Sequence, residues 1–215
     1  MRLDSDHPLL GGLPRDEAAW VRDTTREVVL AEGETLVEPG ARMERAVFLV
    51  DAAVSLRAGA PRGRSIELAV LGRGQLPGAG ALLADAPCAL ALHVVQPGRA
   101  LALPAPGAGL WRGKPVLLGR LRGCAAGEAA LVAAAAARLA FGTARQRLAA
   151  HLADMWIATE ERLLAVHHEA LAGLLGLRRA TVTVALQELE DLHAVKARRG
   201  FVEIVDPQAL EDASF

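Results

Sequence analysis

The spacing of apolar side chains changes character along this chain of 215 residues and predicts several kinds of structure in succession. An amphipathic segment from Leu13 to Trp20 predicts a short helix. From Arg26 to Pro104, brief β-rich runs alternate with turn residues, a pattern typical of an all-β barrel, sandwich or jelly roll. The predicted strands are centred on Val28–Leu30, Thr35–Val37, Ala46–Val50, Val54–Leu56, Ile66–Val70, Leu92–Val95 and Ala100–Leu103, with turns that include Gly33, Gly40, Gly63 and Gly72.

A long helix is predicted from Pro115 to Ala140, where the sequence becomes rich in Leu and Ala and Pro115 suits the first helical position. Glycines recur every four residues along it, and each costs up to about 1 kcal/mol in a helix interior, so the ridge they form needs a reason. Close approach of a second copy of the helix is one reason, and packing against the chain's own β domain is the other. In the dimer hypothesis the interface comprises Leu117, Gly119, Leu121, Gly123, Cys124, Gly127 and Leu131.

Two short helices are predicted after His168, and they meet at Gly176. Leucines at positions 171, 174 and 175 share one face of the first helix, and Val182, Leu186 and Leu189 share one face of the second. Gly176 stands where the first helix needs a residue in the left-handed conformation, which glycine adopts without a Cβ clash. The pattern predicts a helix-turn-helix, whose second helix enters the major groove of DNA.

The helix-turn-helix is flanked by two further signals. Val195 to Val205 forms two β-rich runs around Arg198-Arg199-Gly200, which predicts a hairpin with a basic tip, a wing. Upstream, Thr143-Ala144-Arg145-Gln146 has the form of a capping box and restarts a helix. The break at Phe141-Gly142 is therefore the predicted domain boundary and hinge. A winged helix that packs against protein instead of DNA is the alternative.

The sequence Leu171-Ala172-x-x-Leu175-Gly176-Leu177-Arg178-Arg179-x-Thr181-Val182, with the wing residues Arg199-Gly200 and Ile204, resembles the Crp/Fnr family of bacterial transcription regulators. Matches also occur in the β region, at Gly33-Glu34, Gly40, Phe48-Leu49, Ser65–Leu68 and Gly72-x-Gly74. The resemblance implies an α+β protein with an N-terminal β-roll, a cyclic-nucleotide-binding-like jelly roll, then a long dimerisation helix and a C-terminal winged helix-turn-helix. We expect these three parts to span residues 1–114, 115–142 and 143–215.

The resemblance also identifies a candidate effector pocket, which has lost its polar groups. Members that bind cyclic AMP carry a Glu for the ribose and an Arg-Ser pair for the phosphate, and here Ala79 and Pro87–Leu90 stand at those places. The long-helix hydroxyl that meets the purine falls near Val132-Ala133, which has none. Cyclic AMP is therefore not expected to bind, because a buried phosphate needs a positive partner. A small apolar ligand or a filled core remains for the pocket residues Ala79, Leu82, Leu83 and Ala89.

On the DNA side, the resemblance places Arg179 where a base edge is contacted, and a bidentate contact to guanine is the natural chemistry. Arg178 is expected to bind phosphate. Ala180 and Val184 stand where relatives of the cyclic AMP receptor carry polar base contacts, so a different target sequence is expected. A structural role in the helix start is the alternative for Thr181 and for His168. The full set of predicted DNA contacts is His168, Arg178, Arg179, Thr181, Thr183, Gln187, Lys196 and Arg198.

Composition and charge refine this picture. Hydrophobic residues make up 52% of the chain and aromatics 3%, with no Tyr, so the core must be built from Leu, Val and Ala. After Gly142, 11 acidic side chains outnumber 8 basic ones, although arginines cluster on the second helix and the wing. Local field governs phosphate contact, so we expect DNA binding with weak non-specific affinity. Action through protein contacts without specific DNA binding is the alternative function.

Other classes of protein find little support. Cys88 and Cys124 show no ligand spacing and are expected to be inert thiols. An enzyme on the β-roll would need converging His and carboxylate groups, and His93 has no obvious partner, so no catalytic residue, metal or cofactor is expected. The apolar run Ala129–Ala137 is too short to span a bilayer. We expect a cytoplasmic protein whose partners are double-stranded DNA, a second copy of the chain and RNA polymerase, with an unknown effector.

Overall fold

The computed structural model describes residues 7–60, 64–104, 109 and 111–214, so the predicted turn at Gly63 lies outside the described residues. All seven predicted strands of the β region are confirmed, as are the long helix, the helix-turn-helix and the wing. In chain order the elements are α1 (Arg15–Thr24), β1 (Arg26–Leu30), β2 (Thr35–Val37), β3 (Arg45–Leu49), β4 (Ala53–Ala60), β5 (Arg64–Leu71), α2 (Ala79–Ala84), β6 (Ala91–Gln96), β7 (Gly98–Pro104), α3 (Pro115–Phe141), α4 (Ala144–Thr159), β8 (Leu163–Ala165), α5 (His168–Leu175), α6 (Arg179–Asp191), β9 (Val195–Arg198), β10 (Phe201–Ile204) and α7 (Pro207–Asp212).

The β region consists of two antiparallel sheets that share one apolar core. The first sheet has the strand order β1-β7-β3, and the second has the order β2-β6-β4-β5. Buried side chains from both sheets meet in one cluster, including Leu30 of β1, Leu49 of β3, Leu56 of β4 and Leu92 of β6, none of which is exposed. The predicted β-roll is therefore confirmed, and this cluster consists of aliphatic side chains and Cys88.

The long helix α3 begins at a buried carboxylate. Glu17 of α1 is 2% exposed, and its two oxygens accept hydrogen bonds from the backbone N–H groups of Val116 (3.1 Å) and Leu117 (2.7 Å). The first N–H groups of a helix have no partner within the helix, so this acid satisfies two of them and complements the helix dipole. Arg120 of α3 in turn donates to the carbonyls of Leu9 (2.7 Å) and Gly11 (2.6 Å), which fastens the N-terminal segment.

The end of α3 is also capped by side chains. Arg147 of α4 donates to the carbonyl oxygens of Arg138 (3.3 Å) and Leu139 (2.8 Å), and the capping box between Thr143 and Gln146 is confirmed. A Cβ atom at Gly142 would lie 2.5 Å from the Arg138 carbonyl, so only glycine fits between the two helices. The predicted break at Phe141-Gly142 is thus a tight turn with a defined geometry.

The C-terminal region has its own core. Leu148 and Leu152 of α4, Val182 and Leu189 of α6 and Leu210 of α7 are unexposed and belong to one cluster. The small sheet has the order β8-β10-β9. The strand β8 and the helix α7 were not predicted. At the start of α7 the Asp206 side chain accepts hydrogen bonds from the backbone N–H groups of Gln208 and Ala209.

The chain forms two compact units. The first comprises the chain up to Arg57 together with Leu71–Leu131, and the second comprises Ala58–Val70 together with the chain from Val132 onward. Most of β5 and the last part of α3 therefore belong to the same unit as the helix-turn-helix. The division at residues 114 and 142 stays a prediction.

A buried charge cluster joins β5 to α4 within the second unit. His151 of α4 contacts Glu67 of β5 at 2.5 Å, and the two side chains are 9% and 4% exposed. Beside them, burial raises the pKa of Asp154 to about 6, an increase that Arg138 at 4.0 Å and His151 oppose and Glu67 reinforces. The folded protein thus favours the neutral Asp154 carboxyl.

Asp154 gives a pH-dependent stability with a definite sign. Between pH 3.8 and about 6 the folded state holds a proton on Asp154 that the unfolded chain releases, so stability from this group falls as pH rises through that window. Asp154→Asn should therefore be more stable than the parent at pH 7.5, by up to about 3 kcal/mol, and equal to it near pH 4. Urea unfolding followed by tryptophan fluorescence measures both, with the exposed Asp23→Asn as control. An Asp154→Asn variant that is destabilised at pH 7.5 would contradict the assignment.

Candidate nucleic-acid interface

The helix-turn-helix has the predicted geometry at its turn. α5 ends at Gly176, whose backbone is left-handed (φ 65°, ψ 34°), and α6 follows after Leu177 and Arg178. Leu171 and Leu175 of α5 are buried against Val182 and Leu186 of α6, as the periodicity predicts. The turn therefore fixes the angle at which α6 leaves the core, and the face of α6 opposite the core is exposed.

Two arginines occupy the N-terminus of that exposed face. Arg178 is the residue before the first turn of α6, Arg179 is its first residue, and both side chains are exposed. Neither forms an ion pair or a side-chain hydrogen bond with any residue that the structure describes. Because the N-terminus of a helix carries partial positive charge, the two guanidinium groups add to a local positive field.

The wing is a hairpin of β9 and β10, paired from Phe201 opposite Arg198 to Ile204 opposite Val195. At its tip Gly200 has φ 80°, and its carbonyl accepts a hydrogen bond from the Val166 N–H at 2.9 Å. The Glu190 side chain of α6 accepts a hydrogen bond from the Ala197 N–H at 2.7 Å, so α6 and the wing are joined directly. Lys196 is exposed along the same hairpin.

A cleft of about 390 Å³ separates the start of α6 from the wing. It brings together three of the predicted DNA-contacting residues, His168, Arg179 and Arg198. Its remaining walls include side chains that the sequence did not single out, among them His167 and the half-exposed ring of Phe201. Because His167 directly precedes His168, the pair of adjacent histidines was the signal in the sequence that could have identified His167 as part of this site.

Several predicted DNA contacts already have partners inside the protein. Arg198 donates from Nε (2.9 Å) and Nη2 (2.5 Å) to the same oxygen, Oε2 of Glu203, across the hairpin. Thr183 donates to the Arg179 carbonyl at 3.2 Å and lies 3.2 Å from Nδ1 of His168. Gln187 donates to Asp191 at 3.2 Å.

These internal contacts limit the candidates for DNA contact without removing any of them. All lie on exposed side chains, where such pairs are weak and exchange readily with other partners. Thr181 differs, because its hydroxyl makes no hydrogen bond within the described part of the chain, so the alternative of a helix-start cap gains no support. Arg178, Arg179 and Lys196 therefore have the greatest freedom to contact DNA.

The four predicted pocket residues do not line the cavity of about 460 Å³ beside α3, whose walls include Leu76, Gly123 and Glu128. Ala79 and Leu82 of α2 are buried in the roll, Leu83 is half-buried, and Ala89 is exposed and so does not line an enclosed pocket. In place of the polar ligand contacts, the Gly78 N–H at the start of α2 donates to Glu128 of α3 at 2.9 Å. Burial raises the pKa of Glu128, against the hydrogen bonds from Gly78 and Ala79.

The two cysteines have the properties of unreactive thiols. Burial raises the pKa of both Cys88, which is 4% exposed, and Cys124. A thiol with a raised pKa holds less of the reactive thiolate at neutral pH. Among the described residues no group of three or more His, Cys, Asp and Glu side chains could hold a metal ion.

Part of the predicted dimer interface is wrong. Leu117 and Leu121 are unexposed in the core of their own unit, and Cys124 and Leu131 pack partly against that unit, so a second copy cannot reach the two leucines. The glycines of the ridge are exposed, and an added Cβ at any of them would meet nothing within 4 Å. A line of small, exposed residues continues from them with alternating steps of four and three: Gly119, Gly123, Ala126, Ala130, Ala133, Ala137 and Ala140.

The fold and the exposed face of α6 define a class of protein, a winged helix-turn-helix DNA-binding domain joined to a β-roll of the cyclic-nucleotide-binding type. Comparison with family models agrees. Residues 27–107 match the cyclic nucleotide-binding domain and residues 146–213 match the Crp-like helix-turn-helix domain, which together are more than half of the chain. The chain belongs to the Crp/Fnr family, whose members are transcription regulators. No curated protein sequence matches it significantly.

Solved structures share this architecture along most of the chain. The catabolite activator protein of Thermus thermophilus is 25% identical, with a TM-score of 0.50 over 96% of this chain and 98% of that one. A CRP/FNR-family transcriptional regulator, also from Thermus thermophilus, is 24% identical, with a TM-score of 0.68 over 88% and 98%. A protein of the crp/fnr family from Eubacterium rectale is 16% identical, with a TM-score of 0.71 over 96% and 97%.

The turn between α5 and α6 can be tested with a matched pair of substitutions. Gly176→Ala places a Cβ on a left-handed backbone, at φ 65°, and should destabilise the protein by about 1–2 kcal/mol. Gly173→Ala lies inside α5 with nothing within 4 Å of the new Cβ, and should be neutral or stabilising by up to about 1 kcal/mol. Thermal unfolding measures both variants. Equal effects from the two would mean that Gly176 does not adopt this conformation.

Proposed function

We propose that this protein is a homodimeric, sequence-specific DNA-binding transcription regulator. The observation that carries the proposal is the pair of exposed arginines at the start of α6, which no described residue neutralises and which lie beside the cleft next to the wing. A helix with this placement fits the major groove, and its N-terminal side chains then lie nearest the base edges. The protein is proposed to act in the cytoplasm, and RNA polymerase is proposed as a further partner.

The two arginines are proposed to have different roles. Arg179 projects from the first turn of α6 towards the cleft and would donate two hydrogen bonds to the O6 and N7 atoms of a guanine. Arg178 precedes the helix and would bind a phosphate at the edge of the groove. Lys196 on the wing would bind a second phosphate. Phosphate contacts orient the protein, whereas base contacts determine which sequence it prefers.

The alternative function is a family member that acts through protein contacts without specific DNA binding. The acidic balance after Gly142, with 11 acidic and 8 basic side chains, favours it. Selection of bound sequences from random DNA at low salt separates the two functions. An enriched, two-fold symmetric motif supports the regulator, and the absence of any enriched motif supports the alternative.

Substituting the arginines singly tests their roles on the selected operator. Arg179→Ala should relax specificity at one base pair in each half-site and weaken binding to the operator by about 1–3 kcal/mol. Arg178→Ala should weaken binding to all sequences alike and reduce the dependence of affinity on salt. Binding titrations at several salt concentrations, on the operator and on single-base variants, measure both effects. Identical specificity profiles for the two variants would refute this assignment of roles.

Dimerisation is proposed to occur through the line of small residues on α3. Its steps of four and three residues are those of a coiled-coil seam, and its side chains are no larger than a methyl group, so two helix backbones could approach closely. By length and composition alone α3 could cross a membrane, and only 6% of its most apolar window is buried within the chain. Dimerisation would account for this exposed apolar surface. A second copy would remove this surface from water.

Gly123→Leu tests the seam directly. A Cβ atom added at Gly123 meets nothing within 4 Å in its own chain, so a single chain accommodates a small side chain at this position. The leucine should force the two helices apart and shift the protein towards monomer, whereas Gly123→Ala, which adds a single methyl group, should remain dimeric. Light scattering at several protein concentrations measures the mass. A Gly123→Leu protein that stays fully dimeric would place the interface elsewhere.

The effector site is proposed to have lost the ability to bind cyclic AMP. Ala79 lies in the core where cyclic AMP binders carry the ribose-binding Glu, and Glu128 places a carboxylate at the start of the adjacent helix. An incoming phosphate would meet this acid instead of an arginine. Each hydrogen bond to a charged group contributes about 1.5–3 kcal/mol, so the loss of several removes micromolar affinity.

Calorimetric titration of the protein with cyclic AMP and with cyclic GMP tests this loss. Neither nucleotide should give a saturable heat or raise the temperature of unfolding. A saturable heat with a micromolar dissociation constant would contradict the proposal, and Arg64, Arg73 and Arg99 would then be the first candidates for the phosphate partner.

A further inference from the structure

One exposed valine on α6 does not pack in the hydrophobic core. Val184 is 59% exposed and is the one large hydrophobic residue of α6 that is exposed, whereas Val182, Leu186 and Leu189 are buried. Ala180, one turn earlier on the same side, is exposed as well. The two residues form an apolar strip beside Arg179 and Thr183, on the face that the core leaves open.

The major groove offers this strip a single kind of apolar partner. Its base edges present hydrogen-bond donors and acceptors, apart from the C5-methyl group of thymine. An isopropyl group placed against a donor or an acceptor would remove water from it without replacing the hydrogen bond, which is unfavourable. Against a thymine methyl, the same group buries apolar surface on both sides.

We infer that Val184, with Ala180, determines sequence preference by contacting the methyl group of a thymine in each half-site. The inference rests on the proposed function, because it requires α6 to lie in the major groove. Val184 follows Arg179 by five residues, a distance of about 7.5 Å along the helix axis. At a rise of about 3.4 Å per base pair, the thymine lies about two base pairs from the guanine that Arg179 contacts.

The test replaces single thymines of the selected operator with deoxyuridine, which lacks only the C5-methyl group. For the parent protein, uracil at the position two base pairs from the Arg179-dependent guanine should weaken binding about three- to fivefold per half-site, the equivalent of one buried methyl group. Val184→Ala should lose most of this dependence on the methyl group. Val205→Ala, which truncates an exposed valine outside α6, should retain it.

The outcomes distinguish this inference from the function on which it rests. An enriched operator that is insensitive to uracil at every position, or whose sensitivity is the same in Val184→Ala, overturns the thymine contact and leaves the regulator intact. The absence of any enriched operator overturns the proposed function and the thymine contact with it. Because Val184 is exposed and outside the core, its truncation should leave the unfolding temperature unchanged, which circular dichroism checks.

Discussion

Both compact units depend on the hydrogen bonds that cap the two ends of α3. A helix leaves four N–H and four C=O groups without internal partners, and in this protein side chains from other elements satisfy several of them. Glu17 accepts two hydrogen bonds at the start, and Arg147 donates two at the end. Burying the Glu17 carboxylate is tolerable because both of its oxygens are hydrogen-bonded and the helix dipole is favourable there. Displacing α1 would leave the first turn of α3 uncapped.

The composition of α3 follows from its two sides. One side contributes Leu117 and Leu121 to the core of the roll, where large side chains fill space. The other side carries only glycine and alanine along the seam, and all of these residues are exposed in a single chain. Glycine lowers the intrinsic stability of a helix, and the proposed close approach of a second helix would give these small residues a purpose.

The sequence was sufficient for the elements whose signals are local. Strand periodicity, the capping box at Thr143 and the left-handed Gly176 depend on neighbours a few residues away, and each was predicted correctly. The three-residue strand β8 was missed because its pairing with β10 is a long-range contact. The contact of Glu128 with Gly78 joins residues 50 positions apart, and only the fold brings them together. Leu117 and Leu121 were wrongly assigned to the dimer interface because the apolar residues of α3 are not confined to one face of the helix, so the sequence alone does not show which face is buried.

The acidic balance of the C-terminal region is less unfavourable to DNA than its count suggests, because the charges are unevenly distributed over its surface. Glu190 joins α6 to the wing, Glu203 pairs with Arg198, and Asp206 caps α7. The Arg198–Glu203 pair cancels one positive and one negative charge, Glu190 and Asp206 keep their charge, and no described acid pairs with Arg178 or Arg179. The cations that remain without such partners at the start of α6 therefore determine the local field. With few phosphate contacts, non-specific affinity is low, and base contacts on α6 must supply a larger share of the binding energy of a specific site.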